Sequence, residues 1–251
     1  MIYFSPPSIR QSLAMIGLTC MTALPAAAMT GTPLETEAPV VLDAQFIQDV
    51  GGGARIDMSG KLRMLSQRIA ASACNEAAGI ALDQSVPMIA AAVAEYDRII
   101  AALEHGDDEL GIFGAETNRK ILADIQALHA VWDPLHVDLD TAIAGDITAE
   151  EAFQIEAVSD ELLKIAQHMV SLISGRYADP AALMQADALT IDIAGRQRML
   201  AQRMSKNACL IASGHDVEAS RAEMLAALEM YDTSLTALRF GMPTAGISPP
   251  P

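Results

Sequence analysis

One run of thirteen residues occurs twice. Ile56-Asp57-Met58-Ser59-Gly60-Lys61-Leu62-Arg63-Met64-Leu65-Ser66-Gln67-Arg68 returns as Ile191-Asp192-Ile193-Ala194-Gly195-Arg196-Gln197-Arg198-Met199-Leu200-Ala201-Gln202-Arg203, at an offset of 135 residues. At that offset, and without gaps, 56–106 and 191–241 agree at 20 of 51 positions, among them Cys74 with Cys209, Gly79 with Gly214, and Tyr96-Asp97 with Tyr231-Asp232. A chain holding two copies of one unit folds both alike. The repeat therefore predicts two equivalent units, related by a pseudo-two-fold axis if they pack face to face.

The units read as helical hairpins. Ile89, Val93, Tyr96, Ile100 and Leu103 follow a four-three spacing, and Met224, Leu228, Tyr231, Leu235 and Leu238 reproduce it in the second copy. Two more stripes lie between the copies: Ile121, Ile125, Leu128, Trp132, Leu135 and Leu139, then Ile155, Val158, Leu162, Ile165, Met169 and Leu172. That spacing lines one side of a helix, as in a bundle. Hydrophobic residues make up 51% of the chain and aromatics only 4%, a mixture rich in helix formers and poor in strand formers. Thr148 and Glu151 form a capping box, with Gly175 as the matching stop. Asp179-Pro180 opens the next helix, and Pro134 kinks its own. The fold expected is all-α, an antiparallel bundle of about six helices over 43–79, 83–105, 115–144, 149–175, 180–213 and 217–240. The bundle proper is 43–240, with a central hairpin at 115–176 between the repeat copies.

The ends read differently. Arg10, the apolar stretch Ser12 to Leu24 and Pro25-Ala26-Ala27-Ala28 make residues 1–28 a secretory signal, which directs the chain to the periplasm or outside the cell. Lipidation at Cys20 is the other reading of that segment. Residues 29–42 read as a flexible leader and 242–251 as a proline-rich tail without structure. No later stretch has the roughly 18 uninterrupted apolar residues needed to cross a bilayer.

Charge separates the repeated helix from the rest. The chain has 32 acidic and 16 basic residues, a net charge of −16, which excludes a nucleic-acid binder. Yet Lys61, Arg63, Arg68, Arg196, Arg198, Arg203 and Lys206 are seven of the 16 cations, all within 56–74 and 191–209, where Asp57 and Asp192 are the only acids. Gly60, Arg63, Gln67 and Cys74 share a helix face, as do Gly195, Arg198, Gln202 and Cys209. Glycine admits a close neighbour, and arginine offers forked planar donors. If the two helices face each other, Arg63 and Arg198 enter one gap, where a small oxyanion would offset their repulsion. The competing reading is structural: Asp57–Lys61 and Asp192–Arg196 are ready-made i, i+4 pairs.

The motif Asp-x-x-Gly-x-x-Arg-Met-Leu-(Ser/Ala)-Gln-Arg resembles the signature helix of the PilJ-type sensor domain. That domain is the N-terminal region of type IV pili methyl-accepting chemotaxis transducers, and it is similar to the periplasmic domain of nitrate/nitrite sensor histidine kinases. The resemblance covers both repeated helices and, through the repeat, about 100 residues. It implies an all-helical sensor holding nitrate or nitrite between two copies of the signature helix, with Arg63 and Arg198 contacting the anion. Gly60 and Gly195 would lie beside the anion, and Arg68 and Arg203 would be supporting cations. The chain departs from those kinases in carrying Asp57 and Asp192 where they place asparagine. The implied partner is a membrane signalling protein. The alternative is a structural or interaction bundle of the envelope or pilus system that binds no ligand.

Cys74 and Cys209 are read either as a disulfide across the pseudo-two-fold or as two small residues packed where helices approach. His129, Asp133 and His136 lie at i, i+4 and i+7, with His168 on the next helix; the default reading is ordinary surface histidines, and neither a metal nor a cofactor is assigned. No nucleophile–base pattern supports an enzyme.

Overall fold

The computed structural model describes residues 44–177, 185–245 and 247–249, with side chains from Gly52 to Tyr177 and again from Leu189. The signal segment, Cys20, the leader at 29–42 and the Asp179-Pro180 helix start lie outside the described residues. Among the described residues the regular structure is helical, joined by short turns and loops, with two isolated β-bridges and no strand. Helices α1 (Ala44–Ala77), α2 (Leu82–His105), α3 (Arg119–Trp132), α4 (His136–Ala144), α5 (Ala149–Tyr177), α6 (Gln185–Ala212) and α7 (Val217–Phe240) follow one another along the chain. None of them is long and apolar enough to cross a membrane.

Helix α1 is the hub. It packs on α2, α5 and α6, while α3 packs on α5 and α7 on α6. Leu62, Leu65, Ile69 and Ala70 of α1 are fully buried in one core with Tyr96, Ile100, Trp132, Leu162 and Met169. Contacts between 57 and 198, 63 and 192, and 74 and 209 show that α1 and α6 run parallel, each closing a hairpin with the helix that follows. The repeat thus produces a pseudo-two-fold along the α1–α6 seam.

Three local expectations change. The helix expected over 115–144 begins at Arg119, where the Asn118 side chain accepts from the backbone N–H of Lys120 and Ile121. It breaks at Pro134 into α3 and α4 through a 3-10 turn, Asp133–Leu135. Trp132, Leu135 and Leu139 stay buried across the break, so the stripe survives the missing hydrogen bond. Helix α5 runs past Gly175 to Tyr177, whose hydroxyl donates to Glu116 at 2.9 and 3.0 Å and whose ring lies under the Arg55 guanidinium at 5.0 Å. Those contacts hold two more residues in the helix. The described residues of the tail also carry structure that its prolines do not suggest. After α7 comes a 3-10 turn, Pro243–Ala245, closed by a Met242–Ile247 bridge, and Ile247 is buried. The same device follows α2: a 3-10 turn at Asp108–Leu110 and an Asp107–Ile112 bridge, again 135 residues earlier. The duplication therefore extends beyond Gly241. The capping box is in place, with the Thr148 N–H donating to Glu151 Oε2 at 2.8 Å and the Glu151 N–H to Thr148 Oγ at 3.3 Å.

The two copies are not equally covered. Ile89, Val93, Tyr96, Ile100 and Leu103 are buried, and Trp132 stacks on Tyr96 at 4.1 Å while its indole N–H donates to Asp97 at 2.6 Å. In α7 Leu228 is exposed and Met224, Tyr231, Leu235 and Leu238 are half-buried, because no central hairpin lies over that helix.

Candidate functional site

The seam between α1 and α6 holds the repeated cations, and its pairing is crossed. Arg63 Nη2 lies 2.7 Å from Asp192 Oδ1, and Arg198 Nη2 donates to Asp57 Oδ1 at 2.6 Å, so each arginine meets the acid of the opposite copy. The reach follows from helix geometry: side chains lean toward the helix N-terminus, bringing each arginine down to the acid on its parallel neighbour. The expected Asp57–Lys61 pair does not form, because Asp57 is taken by Arg198 and Lys61 pairs with Glu95 of α2. Asp192–Arg196 does form, at 2.8–2.9 Å. Asp192 therefore serves two guanidinium groups.

Burial breaks the symmetry. The side chains of Arg63 and Asp192 are 0% and 12% exposed, those of Arg198 and Asp57 43% and 39%. Helix α5 covers the first pair, and Arg63 Nη1 donates to Gln167 Oε1 there at 2.7 Å. The Arg63–Asp192 approach lies off the N–H axis, leaving Nη2 and Oδ1 without an aligned hydrogen bond. Burial lowers the Arg63 pKa, Asp192 works against that, and the nearby Arg196 and Arg198 charges add to the lowering. A Cβ on Gly60 would stand 3.1 Å from Arg63 Nη2, and one on Gly195 3.5 Å from Arg63 Nη2 and 3.7 Å from Arg198 Nη2. Both glycines thus border the guanidinium pair. A cavity of about 490 Å³ opens on Asp57, Gly195 and Arg198, with Gly53, Ile191 and Ala194 completing it.

The other sequence candidates point elsewhere. Gln67 is buried against α5, where its Nε2 donates to the Ser159 carbonyl at 3.3 Å. Arg68 and Gln202 are half-buried, and the Arg68 Nε faces inward with no acceptor. Arg203 pairs with Glu223 at 3.2 Å and Asp160 at 3.7 Å. Cys74 and Cys209 are joined as a disulfide with Cα atoms 6.2 Å apart, farther along the same seam. His129 faces Asp133 and Glu104, His136 faces Asp97 and His168 faces Asp124; among the described residues no cluster of three such groups is set to hold a metal ion.

The family model for the type IV pili methyl-accepting chemotaxis transducer N-terminal domain, PilJ, matches residues 47–168 and 182–251. The chain belongs to the PilJ family. Comparison with curated proteins and with solved structures found no match. The PilJ match takes in both repeat copies and most of the central hairpin, so the crossed pairs lie inside a sensory helical domain of the chemotaxis-transducer type.

Sequence reasoning missed the roles of four residues. Asp57 and Asp192 pair across the seam rather than only along their own helices; the signal was that they are the sole acids in the two basic segments. Gln167 closes the site from α5, and nothing in its stripe marked it. Lys206 is fully buried, donating to Glu156 at 3.0 Å and Asp160 at 3.3 Å, and so ties α6 to α5. Its repeat counterpart is Ala71, so the duplication did not flag it.

Proposed function

We propose that this chain is an exported, periplasmic sensory domain that binds a small monovalent oxyanion at the α1–α6 seam and passes its state to a membrane signalling partner. Nitrate and nitrite are the first candidates, nominated by the resemblance to the nitrate/nitrite sensors. The observation that carries the reading is a charge imbalance: among the described residues, Arg63, Arg196 and Arg198 face only Asp57 and Asp192. One monovalent anion balances the cluster, and the cavity beside Arg198 gives it a way in. The anion joins Arg198 beside the half-exposed Asp57, whereas Asp192 holds Arg63 in place beneath α5. The competing structural reading is favoured by a specific feature: both arginines already have carboxylate partners.

Melting temperatures across anions at fixed ionic strength separate the two readings. Nitrate or nitrite is expected to raise the melting temperature above that in chloride, and Arg198→Ala to abolish the rise. A parent protein that melts alike in all of them supports the structural reading.

A further inference from the structure

A second cavity, of about 600 Å³, lies on the outer side of the bundle where α5 and α7 flank α6. Its floor and walls are apolar, formed by Leu163, Met199, Leu200, Ala226 and Met230, and its rim carries Lys164, Arg196 and Arg203 against one acid, Glu223. Each rim cation also has a carboxylate neighbour, Glu161 for Lys164, Asp192 for Arg196, and Glu223 and Asp160 for Arg203, so the rim offers forked guanidinium donors rather than a net positive charge. The repeat shows how the groove arises. In the first copy Lys61 of α1 pairs with Glu95 of α2 and closes the seam between those helices. The counterparts are Arg196 and Met230, so the second copy keeps the cation and replaces the closing glutamate with a flexible thioether. Arg196 turns to Asp192, which it shares with Arg63, and the groove stays open. Volume and lining suit a small organic molecule, with apolar walls to bury its body and a few charges to orient it. Methionines adapt to varied shapes.

We propose that this groove binds a free organic monoanion with an apolar body, of the size of a medium-chain carboxylate. The carboxylate lies at the Arg196 and Arg203 rim, and the chain lies over Met199, Leu200 and Met230. The groove borders the oxyanion seam and shares Arg196 with its cluster, but it is walled by α5 and α7 and contains neither Arg63 nor Arg198.

Isothermal titration of the full chain with decanoate, below its micellar concentration, tests this. The expected result is one saturable site per chain for which neither decanol nor decyltrimethylammonium competes. Met230→Glu restores the first copy's closing glutamate at an exposed position and is expected to weaken decanoate binding at least tenfold. Ala226→Trp, which fills the groove from another exposed position, is expected to do the same. Both should keep the parent's circular dichroism and melting curve. Decanol binding as well as decanoate would overturn the proposal in favour of a bare apolar patch, and unchanged binding in both variants would place the ligand elsewhere. A dimer in sedimentation that Met230→Glu dissolves would overturn it too, assigning the groove to a second copy of the chain.

Discussion

Asp192 balances two arginines from a nearly buried position, while Asp57 balances one at the surface. The two acids are equivalent in the duplicated sequence, and their energetic weight differs because α5 covers only one of them. Removing one partner of a buried pair leaves an uncompensated charge and costs about 3–5 kcal/mol, whereas an exposed pair contributes about 0–1 kcal/mol. Chemical denaturation of Asp192→Ala is therefore expected to show a loss of that larger order, and Asp57→Ala almost none. Equal losses would mean that α5 does not shield the first pair. At this scale the sequence revealed the residue types and their symmetry. It did not reveal which acid each arginine meets, since i, i+4 spacing favours Asp57–Lys61 and only the parallel packing of α1 and α6 brings Arg198 to Asp57.

Helix boundaries follow local chemistry closely where a cap is written into the chain, as at Thr148–Glu151, and less well where tertiary contacts decide. Tyr177 extends α5 for the sake of Glu116 and Arg55, which lie some sixty or more residues earlier, and no local signal encodes that. The hairpin turns show the reverse. Ala81 and Asp216, equivalent in the repeat, both adopt left-handed backbone at the start of the second helix, with φ of 45° and 41°. A residue with a Cβ is strained there, and glycine is not. Ala81→Gly is expected to stabilise the protein by about 0.5–1 kcal/mol, seen as a higher denaturation midpoint with an unchanged slope. A loss of stability would show that the turn is held by contacts of the Ala81 methyl group.

For the whole molecule, the duplication was the most legible feature, and the structure brings its two copies together along the seam between the basic helices. What the duplication could not convey was asymmetry. The central hairpin covers α2 and not α7, α5 covers Arg63 and not Arg198, and these differences create both cavities. The Cys74–Cys209 link spans the repeat distance of 135 residues and ties the two halves at the seam. Peptide mapping without reductant is expected to recover the two cysteines in one linked peptide. Replacing both with serine is expected to cost about 2–5 kcal/mol, as for the loss of a disulfide closing a long loop. Two free thiols in the purified protein would contradict the link. The central claim is that three arginines and two aspartates leave room for one anion. Isothermal titration of nitrate into the protein in chloride buffer tests it most directly. The account predicts one saturable site per chain that disappears in Arg198→Ala; no saturable heat in the parent, or the same heat in the variant, would contradict it.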